Sequence, residues 1–161
     1  MLKKVLVLVS FVLLFSVSWV SAASIEKLER DRDALKERAE KVLDLAEKES
    51  WKLSKARSVA QYDAVATNML GLFSEAQLLF LAAEKVDKII FGVDVLAGLV
   101  ASGARLTQEN YTAVTKLFTG AAEDAIGVVE KIQAGSYTVE TRRLAKEVQR
   151  DLDAFLNGKN F

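Results

Sequence analysis

Neither cysteine nor histidine occurs anywhere in this chain, and there is no proline. Each absence removes a class of chemistry. Without a thiol there is no disulfide, no lipid-modified cysteine, no thiolate metal site, no covalently attached haem and no cysteine nucleophile. Without imidazole there is no ordinary serine triad, no usual zinc enzyme site and no Glu-x-x-His di-iron site. Catalysis is left with carboxylates, lysine, tyrosine and serine, so the expectation is a protein that is not an enzyme and uses no cofactor or metal. Net charge is missing too, with 22 Lys and Arg against 22 Asp and Glu. Phosphate binding needs surplus cations gathered on a surface, so no nucleic-acid partner is expected.

What is present begins with a leader. Lys3 and Lys4 precede an apolar run from Val5 to Val20 that is relieved only by serines and ends at small residues. A positive n-region, an apolar h-region and a small-x-small site are the parts of a secretory signal peptide. Cleavage after Ala22 is preferred, and Ala23 is the alternative. The run is shorter than the roughly 20 residues of a usual spanning helix. Residues 1–22 thus read as a signal peptide and residues 23–161 as a single exported domain, periplasmic or secreted, whose contact with a membrane is expected only through the leader.

With no proline, and with the first glycine at Gly71, nothing interrupts a helix from Ser24 to Leu70. Ile25, Leu28, Leu35, Ala39, Val42 and Ala46 form one apolar stripe at steps of three and four, with a gap at Arg32, and the opposite face is charged. One narrow stripe on a charged helix suits either a solvated bundle helix or a coiled-coil-like arm. A second stripe, Val59, Tyr62, Ala66, Met69 and Phe73, follows a change of register between Glu49 and Leu53, where the first element either continues or bends. Ser74 with Gln77 has the capping-box spacing, and with Gly71 just upstream it predicts a chain reversal and a new helix there. The stretch from Ile89 to Leu106 is almost wholly apolar. Thr107 and Thr138 are candidate N-caps, Gly135 a helix end, and Asn157 with Gly158 a stop. Gly120 and Gly127 would permit the close approach of a neighbouring helix. Sustained period-two alternation is absent. The fold expected is all-α: an up-and-down bundle of four or five helices with a long charged first helix.

Asp94 stands out because a carboxylate inside an apolar stretch must be paired, protonated or used as a cap. It reads as a buried acid, with Arg105 as partner, or as the N-cap of a short helix over 95–102. Trp51 and Tyr62 read as core aromatics, with a docking or ligand-platform role as the alternative. The adjacent acids Glu123 and Asp124 would point about 100° apart on a helix and cannot easily share an ion. The function expected is protein–protein interaction or a structural role in the cell envelope. The partner would be another envelope protein or a second copy, with the charged first helix as contact arm. The alternative is a carrier of a small apolar ligand or lipid, lined by Leu79, Phe80, Phe118 and Val128. An enzyme using Asp94 and Tyr111 ranks last.

Overall fold

The computed structural model describes residues 2–103 and 107–158, with side chains described from Ser24 on. Four helices make it up: α1 (Leu2–Ser50), α2 (Val59–Ala101), α3 (Gln108–Ala134) and α4 (Val139–Leu156), with a single 3-10 turn at Leu53–Lys55 between the first two. No strand occurs among the described residues. The chain is an all-α bundle of four helices packed against one another.

Three caps start the helices. Ser58, Thr107 and Thr138 each have extended backbone, and each side chain accepts a hydrogen bond from the backbone N–H three residues on, at Gln61, Asn110 and Thr141. Gly135 closes α3, while Gly103 and Gly158, at φ 71° and 59°, follow the ends of α2 and α4 where a left-handed residue is needed. The first reversal differs from the expected one. Gly71 and Ser74 lie inside α2, and the chain turns instead over residues 51–58. There Gln61 Oε1 accepts from the Arg57 N–H at 2.8 Å while Ser58 Oγ accepts from Gln61 N at 3.2 Å. That reciprocal pair satisfies two N–H groups at the start of α2.

Cross-helix pairs fix an antiparallel register. Arg32 and Lys36 of α1 both reach Asp87 of α2, at 3.2 and 2.9 Å. Lys85 of α2 pairs with Asp124 of α3 at 2.8 Å, and Gln133 of α3 donates to Gln149 of α4 at 2.6 Å. Between them lies one core of Leu28, Leu35, Leu79, Val86, Ile89, Val129, Ile132, Val148 and Leu152 with their alanine neighbours. Each such aliphatic side chain contributes about 1.5–3 kcal/mol by leaving water. Phe118 packs edge-on against Phe155 with ring centroids 5.9 Å apart, and its Cβ would lie 3.2 Å from a methyl group placed on Gly92, so α2 and α3 approach closely there and a side chain would push Phe118 back by a few tenths of an ångström. Gly120 and Gly127 have no neighbour within 4 Å of such a methyl, so the expected close approach occurs at Gly92 instead.

The helices differ in length, and this shapes the molecule. At 43 residues, α2 is about 65 Å long, but its buried residues run only from Glu75 to Leu96, and those of α3 only from Ala122 to Ile132. Arg38 of α1 meets Thr138 at the start of α4. Beyond that level α1 and α2 continue alone as a two-helix hairpin, in which Val42 and Ala46 are still buried. At the other end the last turns of α2 and the first turns of α3 form a second hairpin.

Candidate functional site

Two polar clusters lie inside the four-helix section. The first is centred on Glu75, which is almost fully buried. Arg38 donates from Nε to Thr141 Oγ1 at 2.8 Å and from Nη2 to Thr138 Oγ1 at 2.6 Å, and the Thr141 hydroxyl donates to Glu75 Oε1. Arg38 Nη2 also lies 3.9 Å from Glu75 and 3.4 Å from Glu140. This knot ties α1, α2 and α4 together at the level where the α1–α2 hairpin leaves the bundle. Removing one partner of such a buried pair costs about 3–5 kcal/mol, because a charge is stranded.

The second cluster pairs two carboxylates across α1 and α4. Asp151 is buried and held by Lys27 at 2.8 Å and by Arg150 at 3.1 Å. Asp31 faces it from α1, with Oδ2 buried and without a hydrogen-bond partner while both groups are ionised. A proton on Asp31 changes this, since its hydroxyl can then donate to Asp151. Burial first, and the charge of Asp151 second, push the Asp31 carboxyl up to about 7; Lys27 and Arg30 oppose the shift. Among the described residues no group of three or more acids, histidines or cysteines is placed to hold a metal ion.

The residues singled out from sequence fall elsewhere. Asp94 is exposed near the C-terminal end of α2, neither buried nor an N-cap, because α2 passes straight through the predicted break. Its proposed partner Arg105 lies outside the described residues, as do the side chains of Ala22 and Ala23 at the expected cleavage site. Trp51 and Tyr62 do not share a helix face. Trp51 follows the end of α1, Tyr62 is in the first turn of α2, and they are 68% and 52% exposed. The projecting hairpin has no third helix to cover them, so the expectation of core aromatics is corrected. Tyr111 is exposed near the start of α3. Leu79 and Val128 belong to the filled core, Phe118 packs against it and Phe80 is exposed, so the four residues expected to line a carrier cavity are divided between core and surface.

One open groove is apolar. Phe91, Gly92 and Val95 of α2 face Val114, Leu117 and Ala121 of α3 across a groove of about 500 Å³, with Glu84, Asp87 and Lys88 at one end. Phe91 and Leu117 are 71% and 72% exposed. By length and composition α2 could cross a membrane, and only 17% of its most apolar 18-residue window is buried. Comparison with protein-family models, with curated proteins and with solved structures finds no match.

Proposed function

We propose that the protein is a non-catalytic, exported helical bundle of the cell envelope that works by docking onto another protein, and that the docking surface is the α2–α3 groove. What carries this reading is the pair Phe91 and Leu117, two large apolar side chains more than two-thirds exposed on either side of one apolar groove. Exposed apolar surface of this kind marks interaction sites. The ridges beside the groove, Lys88, Phe91 and Val95 on α2 and Val114, Leu117 and Ala121 on α3, repeat at steps of three and four. That spacing suits an amphipathic helix of a partner lying between them.

The charged first helix is less suited to be the contact arm. Its apolar stripe is buried against α2 and α4, and several of its charges are spent on Asp87, Glu75 and Asp151. The two surfaces respond differently to salt, since apolar docking is insensitive to screening and charge pairing is not. The test is a photo-crosslinking residue at Leu117 in the host cell, with and without Phe91→Asp. A crosslinked envelope protein that persists at high salt and vanishes with Phe91→Asp, while circular dichroism is unchanged, supports the groove. A chain that stays uncrosslinked and monomeric in sedimentation at both low and high salt ends the reading. A crosslink to a second copy would identify the partner as the protein itself.

A further inference from the structure

The opposite end of the molecule has a different chemistry. From Ser50 to Tyr62 the chain contains no acidic residue and three cations, Lys52, Lys55 and Arg57, with Glu49 and Asp63 at its borders, in a protein whose charges balance overall. All three are exposed, and with them Trp51, Val59 at 77% exposure, and Tyr62. Nothing in the 3-10 turn between them is buried. Lys52 shares the Glu49 carboxylate at 2.6 Å, which leaves Lys55 and Arg57 as the cations with the least local compensation.

An exposed tryptophan and tyrosine beside lysine and arginine, on the tip of a projecting hairpin, match the composition of surfaces that settle at the headgroup level of a membrane. The rings enter the interface, and the cations meet anionic headgroups. Glu49 and Asp63 close the tip on either side, and between them Lys55 and Arg57 stand among the aromatics with no acidic residue, a charge that complements anionic headgroups. We propose that the tip of the α1–α2 hairpin is a docking surface for a bilayer with anionic headgroups. It touches the interface without crossing it, and it is independent of the α2–α3 groove. The leader is therefore not the chain's sole point of membrane contact.

Trp19→Phe leaves Trp51 as the only tryptophan, so its emission reports this position whether or not the leader has been removed. With vesicles of phosphatidylcholine containing about one-third phosphatidylglycerol, the emission should shift to the blue and be quenched by brominated acyl chains. Vesicles of phosphatidylcholine alone should leave it unchanged. Lys55→Gln with Arg57→Gln should weaken the partition about thirty-fold, about five-fold for each cation. An unchanged Trp51 spectrum on anionic vesicles overturns the proposal. So does an equal response on neutral vesicles, or a blue shift that follows protein concentration without lipid, which would assign the tip to a second copy.

Discussion

Asp31 occupies a stripe position that an apolar residue would normally fill, three after Leu28 and four before Leu35. Asp151 does the same on α4, three after Val148 and four before Phe155, and the two stripes bring the carboxylates together. In the unfolded chain Asp31 titrates near its ordinary 3.8, and in the fold near 7. The folded state therefore binds more protons between these values, and stability falls as pH rises from about 4 through 7. Above 7 both states are ionised and the loss is complete. Asp31→Asn should leave stability at pH 4 almost unchanged and raise it at pH 8 by about 1–2 kcal/mol, after allowing for solvent screening of a group that is only partly buried. Urea melts of both proteins at the two pH values check this, and parallel pH profiles would contradict it. The same residue scale shows what the sequence made legible. The rule that flagged Asp94, a lone acid in an apolar stretch, applies equally to Glu75, the only charged residue between Asp63 and Glu84. It is Glu75 that is buried, because its helix face meets α1 and α4 whereas Asp94 looks outward.

At the scale of the element, two Ser-x-x-Gln patterns compete along α2, Ser58 to Gln61 and Ser74 to Gln77. Only the first is at a helix start. Gly71 drew attention to the second, yet a single glycine costs a helix interior about 1 kcal/mol, too little to break one whose flanking turns are bonded on both sides. The outcome turns on burial: Ala76, Leu79 and Ala82 must continue in register with α1, and a turn at Gly71 would take them out of the core. Ser58→Ala should lose about 1 kcal/mol and speed amide exchange at Gln61, while Ser74→Ala should do neither. Equal effects at the two serines would mean that the helix start has been misplaced. The starts at Thr107 and Thr138 and the end at Gly135 were readable because cap residue, glycine and change of pattern coincide there.

For the whole molecule, the short α4 decides the shape. It covers α1 only up to the level of Arg38, so α1 and α2 run on as a bare pair, and α3 begins beside the far end of α2. Stability should follow the same gradient. Amides of α2 between Glu75 and Ile90 should exchange only with global unfolding. Those between Val59 and Leu70, and those after Leu96, should exchange through local opening several kcal/mol below the global value. Native-state hydrogen exchange measured across a denaturant series would show this, and uniform protection along α2 would contradict the two-hairpin architecture.

By itself the sequence determined the helical class, most of the inward stripes and two of the three chain reversals. These depend on neighbours three or four positions away, and the pattern is written locally. Tertiary structure alone decided which acids are buried, which aromatics remain in water and where the four-helix section stops. Those outcomes depend on how far each helix extends beside the others, and a residue such as Trp51 carries no local sign that its stripe will outrun α4.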